Sequence, residues 1–61
     1  MTVYFEIYKG IVLEIYYEEN GLCYAACESP LGGLIESKKF KTPKEAFENI
    51  KTILDISWLE D

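Results

Sequence analysis

The stretch Thr42-Pro43-Lys44-Glu45-Ala46-Phe47-Glu48-Asn49-Ile50-Lys51-Thr52-Ile53-Leu54-Asp55-Ile56 decides the fold class. Thr42 is a good helix N-cap, because its hydroxyl oxygen can accept an otherwise unpaired first-turn N–H. Pro43 suits the first helical position, where its missing N–H costs nothing and its φ is already set. Glu45, three residues after the cap, completes a capping box. Behind it Ala46, Phe47, Ile50, Ile53, Leu54 and then Ser57 and Trp58 recur at helical spacing. Lys44, Glu48, Lys51 and Asp55 fall on the opposite side. The spacing predicts one amphipathic helix over about 43–56, whose apolar stripe needs another layer to cover it.

That layer is legible upstream. Residues 2–8 alternate, with Val3, Phe5 and Ile7 on one face and Tyr4, Glu6 and Tyr8 on the other. Residues 11–18 repeat the alternation, with Ile11, Leu13 and Ile15 against Val12, Glu14 and Tyr16. A three-residue loop ending in Gly10 pairs Ile7 with Ile11, Phe5 with Leu13 and Val3 with Ile15; a two-residue Lys9-Gly10 loop sets Phe5 opposite Glu14. The first register matches apolar faces and is the expected one. At Glu19-Asn20-Gly21, a two-residue turn puts Tyr24 and Ala26 in the core, and a three-residue loop puts Cys23, Ala25 and Cys27 there. The second is favoured because it leaves Glu28 outside. Ser29-Pro30-Leu31-Gly32-Gly33 reads as a turn, and 34–40 as a shorter fourth strand with Ile35 and Ser37 on one side. The prediction is one α+β domain over 1–61: a four-stranded antiparallel meander (strands about 2–8, 11–18, 22–28 and 34–40) with one C-terminal helix on one face.

Composition narrows function. The chain has 61 residues, with 11 acids against 6 Lys and a net charge of −5, and it contains neither His nor Arg. Absence of His removes the commonest general base and metal ligand. Absence of Arg, with an acidic balance, disfavours a phosphate-gripping nucleic-acid binder. Cys23 and Cys27, four apart in a strand, are separated by about 13 Å at ~3.3 Å per residue, too far for a disulfide. Without His or further Cys they also fail as a zinc site. Two small buried hydrophobes in a reducing cytoplasm is the expectation. The N-terminal Met1-Thr2-Val3-Tyr4-Phe5-Glu6 lacks the basic start of a signal peptide. No apolar run approaches the ~18 residues of a membrane span. Neither cofactor nor metal is expected.

The stretch Tyr24-Ala25-Ala26-Cys27-Glu28-Ser29-Pro30-Leu31-Gly32-Gly33, followed by Thr42-Pro43-Lys44-Glu45-Ala46-Phe47-Glu48-Asn49-Ile50-Lys51, resembles the HicB-type antitoxin core. That family has a strand ending in a Pro-Asp-Leu-Pro-Gly-like turn, a short strand, and a helix opening Thr-x-Glu-Glu-Ala with Asn-Ile one turn on. The resemblance spans about residues 11–54 and uses elements any ββα unit can share. Here the Pro-Gly of the turn is Gly32-Gly33, two extra residues precede the helix, and residues 2–8 add a strand. A looser likeness is to small bacterial ββββα proteins of unassigned function. The HicB resemblance implies a partner rather than a reaction: such cores sequester a small, basic ribonuclease toxin of double-stranded-RNA-binding type. The DNA-binding domain that some members carry is not expected within these 61 residues.

The candidate sites follow. Glu14 and Glu18 share an outward strand face, but without a His, Arg or second carboxylate set they make no catalytic or Mg²⁺ site. Cys27 lacks a neighbouring base to activate it. The expectation is a non-enzyme. In the favoured register Tyr4, Tyr16 and Tyr24 share the sheet face that the helix leaves bare, with Val12 and Leu22. Glu6, Glu14, Glu18 and Glu28 interleave with them, so that Tyr4, Glu14, Tyr16, Glu18 and Tyr24 form the candidate contact surface for a basic protein partner. Tyr also favours exposed strands for cross-strand packing alone. Charge is segregated: residues 1–37 carry −5, 38–51 carry +3 and 52–61 carry −3. Lys38, Lys39, Lys41 and Lys44 thus crowd a helix N-terminus, a candidate anion contact or simply a Lys-protected sheet edge. Trp58-Leu59 is placed to cap the core or to reach a second chain. The leading expectation is a small acidic binding module, antitoxin-like or inhibitor-like. Alternatives are a homodimer completing its core by sheet pairing, and a phage-type nucleic-acid mimic that blocks a host nuclease. Direct nucleic-acid or membrane binding is not expected.

Overall fold

The computed structural model describes residues 4–29 and 32–57. The expectations for Val3, for Pro30-Leu31 of the turn and for Trp58-Leu59 lie outside them. Four strands form one antiparallel sheet in the order β1-β2-β3-β4: β1 Phe5–Tyr8, β2 Ile11–Tyr17, β3 Cys23–Glu28 and β4 Leu34–Glu36. Helix α1, Pro43–Ser57, packs over β3 and β2. The α+β meander with a C-terminal helix is therefore as the patterning predicts. The cap is in place. Thr42 Oγ1 accepts the Glu45 N–H at 3.4 Å and donates to the Glu45 carboxylate at 3.0 Å.

The core lies between α1 and the two central strands. Leu13 and Ile15 of β2, Cys23, Ala25 and Cys27 of β3, and Ala46, Ile50 and Leu54 of α1 are buried together. The small β3 side chains let the helix come close, and Ile11, Ile35, Phe40 and Phe47 close the margins. This is the outcome of the three-residue second hairpin: Ile15 pairs with Ala25 and Tyr17 with Cys23. The Glu18 N–H bonds the Leu22 carbonyl, and Gly21 takes φ +86°, the left-handed residue such a loop needs.

The first hairpin departs from the expected register. Tyr8 pairs with Ile11, Ile7 with Val12, Glu6 with Leu13 and Phe5 with Glu14. The loop is thus Lys9-Gly10 alone, with both residues at positive φ (53° and 85°), as a type I′ turn demands. One residue of slip exchanges the two faces of β1. Glu6 and Tyr8 turn toward the helix side, and Phe5 and Ile7 turn away from it. The physical reason lies in the helix. A cylinder about 10 Å across cannot blanket four strands spaced ~4.8 Å apart. β1 therefore faces only the flank of α1, where long amphipathic side chains outperform apolar ones. There Glu6 meets Lys51 at 3.0 Å, and the Tyr8 hydroxyl donates to Asp55 at 2.8 Å. Lys51 and Asp55, expected on the solvent side of the helix, instead reach across to β1.

β4 is also shorter than the expected 34–40. Cys27 pairs with Ile35 and the Ser37 N–H reaches the Ala25 carbonyl, but the next bridge joins Cys23 to Phe40. One extra residue has entered this strand, a bulge. It reverses the alternation, so that Phe40 joins Ile35 and Ser37 on the helix side and packs on the core.

Candidate functional site

The sheet face opposite α1 has no covering element among the described residues. Following the registers across the sheet, Phe5, Glu14, Ala26 and Glu36 make one row. Ile7 and Val12, then Glu28 and Leu34, lie beside it on the turn side. Tyr16 and Tyr24 pair on the other side, their rings stacked with centroids 5.7 Å apart. The floor is low at Ala26 and the surrounding side chains are tall. The result is an open groove of about 710 Å³, walled by Glu14, Tyr16, Tyr24, Glu28 and Leu34.

Of the expected contact residues, Glu14, Tyr16, Glu18 and Tyr24 lie together on this face. The Tyr16 hydroxyl donates to Glu14 at 2.8 Å. That bond, reinforced by the Glu14 charge, raises the Tyr16 pKa. Glu18 pairs with Lys39 at 3.0 Å, and the Lys39 ammonium sits 5.7 Å from the Tyr24 ring centre. The bond to Glu18 also raises the Lys39 pKa. Tyr4 does not belong to the group. Its carbonyl accepts the Ile15 N–H, and its ring packs at a tilt on Tyr17, on the helix side of the sheet. Glu6 leaves the face for the same reason, the one-residue slip of β1.

Phe5 and Ile7 take their place, and Leu34 and Glu36 of β4 complete the face; the sequence-based contact surface included none of the four. Phe5 and Ile7 are 63% and 64% exposed. The available signal was Lys9-Gly10 itself, a dipeptide that fits a two-residue turn at the cost of placing Lys in the left-handed region.

Of the candidate anion-contact lysines, Lys39 is engaged by a carboxylate. Lys39 turns to Glu18, and the Lys38 N–H donates to Asn49 Oδ1 at 2.9 Å. Lys41 and Lys44 flank the helix start, but Thr42 already accepts the N–H groups of Glu45 and Ala46 that an anion would use. Burial pushes the Cys23 and Cys27 thiols up, the opposite of an activated nucleophile. Among the described residues no group of three or more His, Cys, Asp or Glu side chains is placed to hold a metal ion. No helix among them is long and apolar enough to cross a membrane. No protein-family model matches the chain, and no curated protein or solved structure shows significant similarity to it.

Proposed function

We propose that this protein is a non-enzymatic binding module that acts by occluding a basic partner protein with the open face of its sheet. The observation that supports this is the composition of that face. Four carboxylates, Glu14, Glu18, Glu28 and Glu36, share it with a stacked tyrosine pair and with the exposed apolar side chains of Phe5, Ile7, Val12 and Leu34. Aromatic and apolar groups supply contact area that releases water, and the carboxylates select a partner of opposite sign and speed its approach. An antitoxin-like or inhibitor-like role needs no more chemistry than this, because covering a partner's working surface suffices. The HicB-type pattern over residues 11–54 accords with such a role.

The test is capture of the partner from source cells, followed by affinity and stability measurements on variants. Tyr16→Ala removes one half of the stacked pair at the groove wall, and a central aromatic anchor is worth ~2 kcal/mol or more in binding. The same change lowers folding stability by only about 1 kcal/mol, since the ring is half exposed and the pair is worth that order. Affinity should therefore fall at least tenfold while the denaturation midpoint barely moves. Equal losses in both would sink the proposal, as would binding indifferent to salt.

A further inference from the structure

We propose that the outer edge of β1 is a self-association site, at which two copies pair antiparallel to form one continuous eight-stranded sheet. β1 ends the strand order, so its outer side has no neighbour among the described residues. Tyr8 and Ile11 flank a two-residue turn and so form a hydrogen-bonded pair, which makes Glu6–Leu13 the next such pair along the ladder. The Ile15 N–H bond to the Tyr4 carbonyl, 3.0 Å, continues that alternation. Phe5 and Ile7 therefore aim their N–H and C=O groups outward.

The opposite edge is guarded. β4 is three residues long, is followed by a bulge, and leads into Lys38 and Lys39. β1, reading Phe-Glu-Ile-Tyr, is also short, but it has no Pro, bulge or Lys within it, and its one charge, the helix-side Glu6, is paired with Lys51 at 3.0 Å, so less guards this edge than β4.

The occupant is a second copy because the edge is self-complementary. With Phe5 opposite Ile7 of the second copy, every outward backbone group of both residues finds a partner. Their side chains then form one apolar row on the open face. The same register sets Glu6 against Glu6 on the helix side. Two bare carboxylates there would repel, but each Glu6 is already held by Lys51 at 3.0 Å, so the charges alternate across the junction. α1 lies over β3 and β2 and leaves the edge clear. The pairing leaves the groove around Ala26 uncovered and places two such faces side by side, with Phe5 and Ile7 of both copies at the junction between them.

Strands this short bury less than the ~1,200 Å² of a tight complex, so the dimer is weak and is sought at protein concentrations up to about 1 mM. Sedimentation equilibrium of the full chain should show a monomer–dimer equilibrium over that range. Ile7→Pro deletes an outward N–H that the ladder does not use, so it should give a monomer with an unchanged circular dichroism spectrum. Should that variant fail to fold, Ile7→Lys serves in its place, with the same expected monomer. Lys51→Ala should weaken dimerisation at least tenfold by exposing the Glu6 pair, and Glu14→Gln on the open face should leave it unchanged. A wild-type monomer throughout the range would overturn the proposal. A dimer insensitive to both Ile7 variants would overturn it equally.

Discussion

Ser37 stands where β4 slips by one residue against β3, and its hydroxyl repairs the ladder at that point. Its Oγ accepts the Ala25 N–H at 2.8 Å and donates to the Lys38 carbonyl at 2.7 Å, while its own N–H bonds the Ala25 carbonyl. Ala25 is fully buried, so no water can take over its N–H. Ser37→Ala should cost about 1–3 kcal/mol, the penalty of a buried donor left unpaired, measured by urea denaturation. Tyr8 carries a different kind of test. Its hydroxyl donates to both Asp55 oxygens, at 2.8 and 2.9 Å. This bond above all, with desolvation and the Asp55 charge, raises its pKa from the ordinary 10.0. The folded value exceeds the unfolded one, so the bond's contribution is complete below the unfolded pKa and is lost as pH rises through the folded pKa. Melting temperature should therefore fall above pH 10.0, and Tyr8→Phe should flatten that fall.

At the scale of the element, the first hairpin shows how a turn and a helix flank together override apolar matching. Lys9 at φ 53° bears a left-handed penalty of about 1 kcal/mol, which Asn escapes in part. Lys9 also pairs with Asp55 at 3.4 Å, but both side chains are half exposed, and such pairs contribute from zero to about 1 kcal/mol. Lys9→Asn should therefore hold stability or raise it by up to about 0.5 kcal/mol in thermal denaturation, since relief of backbone strain offsets the lost pair. The helix and its cap were legible because they are specified locally, whereas the second hairpin allowed two registers, of which the one that leaves Glu28 outside is the one observed. Thr42-Pro43-Lys44-Glu45 carries its own capping chemistry, and Gly21 accepts the φ its loop requires. β1 and the end of β4 were not legible, because their faces depend on how far α1 extends across the sheet and on a single inserted residue.

For the whole molecule, the core among the described residues is one cluster of eight buried side chains, three of them on α1. A chain of this size has little stability to spare. Leu54→Ala, which removes a fully buried side chain from the helix–sheet interface, should cost about 2–5 kcal/mol. That is enough to leave a large unfolded fraction at 25 °C by circular dichroism. The charge layout also acts at this scale. Lys39 and Lys51 pair with Glu18 and Glu6 of the strand side, and Lys9 of the first turn pairs with Asp55 of α1, tying turn, sheet and helix together by charge. Glu14, Glu28 and Glu36 stay on the open face around Ala26.

Taken by itself, the sequence determined the element order, the α+β class, and the helix and its cap, and it favoured the inward placement of Cys23, Ala25 and Cys27 over that of Tyr24 and Ala26. Each rests on periodicity or on turn chemistry within a few neighbouring residues. Only the tertiary structure decided which face of β1 is bare, and so which residues join Glu14, Tyr16, Glu18 and Tyr24 there. The strand alternates equally well in either register. The choice fell to contacts more than forty residues apart, Glu6 with Lys51 and Tyr8 with Asp55, which no local pattern encodes.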